Sequence, residues 1–194
     1  FWMAWVGLGL AAAVAQEPAA ATADAGDLSG LSAEAFLQEV RRPFLQEAWG
    51  EATGTLQYAS DRRGDRRGSL RLRLTFAPDS LRAQLTLNEV NVYGFEQIHG
   101  GKAPTRTRVD LPEKEQAPGL FEFGIEPEDL TFAFIYWDLR RELPREDFVR
   151  RPCRVMELAH PEAGKGTVRV WFSASHGYPL KAEWYRPDSR KPWR

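Results

Sequence analysis

Over residues 70–76, and again over 81–88, the chain alternates strictly. Leu70, Leu72, Leu74 and Phe76 are separated by Arg71, Arg73 and Thr75. After Pro78-Asp79-Ser80, Leu81, Ala83, Leu85 and Leu87 are separated by Arg82, Gln84, Thr86 and Asn88. A period of two puts every second side chain on one face, so this stretch reads as an antiparallel hairpin with one apolar and one wet face. An apolar face must be covered, and that need constrains the remaining residues.

Further strands are expected at 53–59, 90–98, 105–111, 154–158, 167–173 and 180–185. Ahead of them lies a helical pattern over 31–49. Leu31, Ala35, Phe36, Val40, Phe44, Leu45 and Trp49 recur every three to four residues, with Ser29 or Ser32 as N-cap. Pro43 should kink or split that helix, and Gly50 and Gly54 close it. Between 119 and 138 the alternation breaks. Pro127 opens a short helix there, with Glu126, Glu128 and Asp129 about its first turn and an apolar body over 130–137.

A helix of about 19 residues spans about 28 Å and is roughly 10–12 Å across. Seven or more strands spaced by about 4.8 Å make a sheet wider than about 30 Å. One helix cannot tile such a face. The expected fold is therefore α+β, with a curved, mostly antiparallel sheet that either curls into a half barrel around the helix or leaves an apolar cleft. Phe132, Phe134, Ile135, Tyr136 and Trp137 would serve as a lid over that cleft or as core.

The 194 residues carry a formal charge of −1, with 43% hydrophobic and 27% charged residues. This balance excludes wholesale disorder, collagen and a polytopic membrane protein, and it argues against a dedicated nucleic-acid binder. One cysteine excludes a disulfide framework and a cysteine-built zinc site. Residues 1–15, FWMAWVGLGLAAAVA, are uncharged and shorter than the roughly 20 residues of a spanning helix. They end in Ala13-Val14-Ala15 and read as a cleaved signal peptide in preference to an uncleaved anchor. Residues 16–30 read as a flexible leader and 31–194 as a single domain. Export fits a lone thiol, Cys153, that is buried.

Three segments together resemble the outer-membrane lipoprotein-sorting family related to LolA: EDLTFAFIYWD (128–138), RRPCRVMEL (150–158) and VRVWFSASHGYPLKAEWY (168–185). The order of elements matches as well, over roughly 31–186, and Gly177-Tyr178-Pro179-Leu180 is the most specific part. The resemblance implies an unclosed half β-barrel around an N-terminal helix and a short apolar helix, with an apolar cavity for acyl chains. It implies a periplasmic, monomeric, non-enzymatic carrier of lipoprotein or lipid acyl chains that needs no cofactor. The substrate-exchange residues of the best-known carriers have no recognisable copy here, so fold transfers better than cargo. On this basis the cavity is expected to be lined by Leu72, Leu74, Phe76, Leu85, Leu87, Phe134, Trp137, Val170 and Trp184. Each taken singly is an ordinary core residue.

Residues 61–73, DRRGDRRGSLRLR, carry a net charge of +4. They suggest a hairpin loop tipped by Arg62, Arg63, Arg66 and Arg67. It reads as a solvated loop or as a contact for anionic headgroups or an envelope partner. The tail from Arg186 onward adds +3. Nucleic acid is not an expected partner. His99, His160 and His176 lack metal-ligand spacing, and no GxSxG, P-loop or GxGxxG motif is present. Neither a catalytic nor a metal site is expected. Two alternatives stay open. One is an envelope sensor or scaffold that binds a protein partner along a sheet edge. The other is an enzyme on this scaffold, with His99 or His176 beside a carboxylate.

Overall fold

The computed structural model describes residues 28–42, 48–58, 66–99, 104–116, 119–123 and 125–193. They fall into two compact units, one drawn from residues 43–133 and the other from residues 18–42 with 134–194. The segments read as signal peptide and most of the leader lie outside the described residues, as do Arg62 and Arg63. Among the described residues, no helix is long and apolar enough to cross a membrane.

The first unit is a five-stranded antiparallel meander of β1 (Ala48–Tyr58), β2 (Arg66–Ala77), β3 (Ser80–Leu87), β4 (Asn91–His99) and β5 (Pro104–Asp110). Every neighbour in the sheet is also a neighbour in sequence, and among the described residues β1 and β5 are its edges. Register puts Leu70 opposite Leu87, Leu72 opposite Leu85, Leu74 opposite Ala83 and Phe76 opposite Leu81. The two alternating runs therefore share one apolar face. A 3-10 turn (Leu120–Phe123) and the helix α2 (Pro127–Leu130) follow β5. Leu120, Phe123 and Ile125 are buried against Leu56, Leu70, Leu85, Leu87 and Tyr93.

The second unit holds α1 (Ala33–Val40), a 3-10 turn (Ala133–Tyr136, shared at its start with the first unit) and a second antiparallel meander. Its strands are β6 (Asp138–Phe148), β7 (Arg151–Ala159), β8 (Thr167–Ser173) and β9 (Pro179–Tyr185). Buried Phe36 meets Phe172 edge-on at 5.8 Å between ring centroids. Ser32 caps α1, its Oγ accepting from the Ala35 N–H at 3.2 Å. At the other end, Arg41 donates to the carbonyls of Ile135 and Trp137 at 2.7 and 2.6 Å. Eight residues are too few for a helix stable by itself, so these tertiary ties hold it.

The α+β, mostly antiparallel, open architecture is the one expected, with the strands divided between two sheets. Three local expectations are corrected. The helix ends at Val40 with Arg41 as C-cap, ahead of Pro43, which crowds the turn before it, while the expected helical residues Phe44 and Leu45 lie outside the described residues. Trp49, Gly50 and Gly54 consequently belong to β1. The apolar body after Pro127 is one helical turn followed by a 3-10 turn, not a continuous helix.

Candidate functional site

The apolar face of the five-stranded sheet is covered unevenly. One end is packed. Tyr93 reaches Glu115 with its hydroxyl and accepts from the Leu120 N–H at 2.9 Å. Asn91 pairs with the Gln116 backbone, donating to its carbonyl at 2.6 Å and accepting from its N–H at 2.8 Å. These two side chains hold Glu115, Gln116 and Leu120, and Leu120 packs with Leu70 and Leu87. Burial, together with Glu115, pushes the Tyr93 hydroxyl up to about 12, so it stays protonated and able to donate. A Cβ placed on Gly68 would meet Phe123 and Leu87 at 3.1 Å and Asn88 Oδ1 at 2.9 Å.

Toward β1 the face is looser, although Leu81 and Ala83, across from Phe76 and Leu74 on β3, are buried. Register sets Ala48 opposite Phe76, Gly50 opposite Leu74 and Ala52 opposite Leu72, so β1 offers small residues beside three large ones. A Cβ on Gly50 would meet none of the described residues within 4 Å. Leu72, Leu74 and Phe76 are only half-buried, whereas Leu85 and Leu87 are fully buried. The same face carries Gln97, directly across from Leu81. It is 0% exposed, and among the described residues neither its Oε1 nor its Nε2 has a hydrogen-bond partner. Leaving a buried amide unpaired costs about 1–3 kcal/mol.

Leu72, Leu74, Phe76, Leu85 and Leu87 thus share one sheet face in the first unit. Phe134, Trp137, Val170 and Trp184 lie in the second. There Phe134 meets Trp184 edge-on at 5.6 Å, Trp137 meets His160 at 4.5 Å, and Val170 is fully buried. In the basic segment, Arg66 forms an ion pair with Glu122, and Arg67 is exposed on β2. Gln97, Asn91 and Tyr93 were not singled out in the sequence. The signal available was polar residues in phase with Phe95 on a strand whose opposite face carries the exposed Val92 and Ile98.

His176 Nδ1 lies 2.7 Å from Ser175 Oγ and 3.5 Å from Ser173 Oγ. The shorter contact joins adjacent residues of an exposed turn. Among the described residues, no group of three His, Cys, Asp or Glu side chains is placed to hold a metal ion. Cys153 is buried, as expected, and burial pushes its thiol up.

No protein-family model and no curated protein matches the chain. Among solved structures, it resembles the crystal structure of a domain from Vibrio parahaemolyticus described as an outer membrane lipoprotein-sorting protein domain. The TM-score is 0.52 at 18% identity, covering 79% of this chain and 71% of that one. A likeness at this identity is one of fold, and the fold is the LolA-like one.

Proposed function

We propose that this protein is a periplasmic carrier in outer-membrane lipoprotein sorting, which shields the acyl chains of a lipoprotein or lipid. The uneven cover of the five-stranded sheet carries the reading. At one end of the apolar face a Cβ on Gly68 would crowd Asn88, Leu87 and Phe123, while on the β1 side no described residue lies within 4 Å of where a Cβ on Gly50 would sit, next to half-buried Leu72, Leu74 and Phe76. Each methylene removed from water contributes about 0.8 kcal/mol, so a face of this kind needs no catalytic group to hold a chain. Leu85, across from Leu72, borders this region, while Leu87, across from Leu70, belongs to the packed end. Gln97 supports the same reading, because an acyl ester or amide carbonyl would accept from its unpaired NH2 group. Arg67, with Arg62, Arg63 and Arg66, supplies the contact for a headgroup or a protein partner. Phe134, Trp137, Val170 and Trp184 are the apolar candidates of the second unit within the domain read as spanning 31–194. The likeness to a lipoprotein-sorting domain agrees in fold.

The test is native mass spectrometry of the protein purified from its host envelope, with solvent extraction of the same sample. A discrete acyl-bearing mass released into the organic phase is expected. A stoichiometric protein partner with no lipid would overturn the carrier reading in favour of an envelope sensor or scaffold.

A further inference from the structure

The four-stranded sheet carries a cavity of about 440 Å³ that no part of the carrier reading uses. This lies within the roughly 300–1,000 Å³ common for small-molecule sites. Arg140 and Arg141 from β6, Arg169 from β8, and Arg186 and Arg190 beyond β9 line it, around Glu157 of β7. Along β7 and β8, Arg154 and Phe172 point to the α1 side, so Glu157 and Arg169 lie on the opposite face.

Glu157 is 4% exposed and serves three guanidinium groups. Arg141 meets both of its oxygens at 3.2 Å, Arg169 Nε lies 3.1 Å from Oε2, and Arg140 Nη1 lies 3.5 Å from Oε1. One carboxylate cannot neutralise three cations. Glu162, also on the wall, is paired with Lys165 at 2.8 Å and adds little to offset them. Arg169 is further fixed. Its guanidinium lies over the Tyr185 ring at 4.2 Å and donates to the Tyr185 hydroxyl at 3.3 Å. The cavity therefore holds excess positive charge on arginines already oriented by a buried carboxylate. Planar forks of this kind match the oxygens of a phosphoryl group.

We propose that this cavity binds a phosphate group, as a monoester or diester. Glu157 orients the arginines, and their remaining N–H groups and those of Arg186 and Arg190 hold the anion. The phosphate belongs either to a soluble phosphorylated molecule or to an anionic phospholipid headgroup. The site is independent of acyl-chain binding, so either reading can fail alone.

The full chain is titrated calorimetrically with glycerol 3-phosphate at low ionic strength. It is also floated with phosphatidylglycerol vesicles, against phosphatidylcholine vesicles as reference. Binding to glycerol 3-phosphate with no vesicle preference identifies a soluble ligand, and selective flotation identifies a headgroup; either supports the site when R140Q/R190Q weakens it, which separates it from a contact through Arg62, Arg63, Arg66 and Arg67. R140Q/R190Q leaves the Arg141 and Arg169 pairs in place and should fold with an unchanged thermal midpoint. It should weaken either interaction by about tenfold or more. Arg82→Gln, which removes an exposed charge paired with Glu96 on the other sheet, should change it less than about twofold. The proposal is overturned if neither ligand binds, or if R140Q/R190Q and Arg82→Gln weaken binding equally.

Discussion

Arg154 has 2% of its side chain exposed, and every direction of its guanidinium is used. It meets both Glu142 oxygens at 2.8 and 2.9 Å, donates to the Leu31 carbonyl at 2.8 Å, and stacks over Phe36 at 4.6 Å. It therefore joins β7, β6 and the start of α1. Arg154→Ala should destabilise the protein by about 3 kcal/mol, because Glu142 and the helix-start carbonyl lose their partner together. Urea denaturation measures this. The hydrogen bond and charge of Arg154 hold the Glu142 carboxyl below its ordinary value, against the cost of burial. Stability from the pair is thus present above the ordinary carboxylate range and is lost as pH falls through the lowered value. Glu157 behaves with the same sign. Burial pushes it up, and hydrogen bonds from Arg141 and Arg169 bring it below its usual range. Acid titration of Arg154→Ala should show a shallower loss of stability below about pH 4.5 than the wild type. Gln97 has the opposite economy. Gln97→Leu should raise stability by about 1–2 kcal/mol, since it removes an unpaired buried amide, while weakening any acyl ester or amide ligand. A drop in the thermal midpoint would show that the amide is satisfied within the fold.

At the scale of elements, two turns set β-hairpin geometry in different ways. Val149 and Arg150 connect β6 to β7, both with positive φ, 49° and 60°. That backbone suits Asn-Gly and strains a β-branched residue. V149N/R150G should therefore raise stability by about 1 kcal/mol, read as a higher denaturation midpoint. Gly166, at the foot of β8, has φ +95°, and a Cβ there would lie 2.0 Å from the Tyr185 carbonyl oxygen. Gly166→Ala should be strongly destabilising and should disturb the arginine cavity that Gly166 lines. The strands were legible wherever one face was apolar, as in β2, β3, β8 and β9. β6 was missed because DLRRELPREDF has no such alternation. It is an edge strand, and Pro144 falls where its register to β7 breaks between Leu143 and Glu146. The turn at Gly177 was legible as a motif. Its φ of +75° and the contact a Cβ would make with Val40 at 3.0 Å explain why glycine stands there.

Across the whole chain, the fold was easier to read than the site. Alternation and a family resemblance specify sheets and their order. A site arises from register, which places side chains from separate strands side by side. In sequence, Gly50 looked like the end of a helix; only its pairing with Leu74 shows it beside the half-buried part of the apolar face. Likewise Arg141, Glu157 and Arg169 are scattered along the chain and meet only across β6, β7 and β8. The most direct measurement compares the wild type with G50L/A52L in the binding of a fluorescent fatty-acyl probe. Both proteins must first be shown to have similar thermal midpoints. Expected is saturable binding by the wild type and at least about a tenfold loss in the filled variant, a difference of about 1.4 kcal/mol. Equal binding by both proteins, or none by the wild type, would contradict a carrier built on this sheet face.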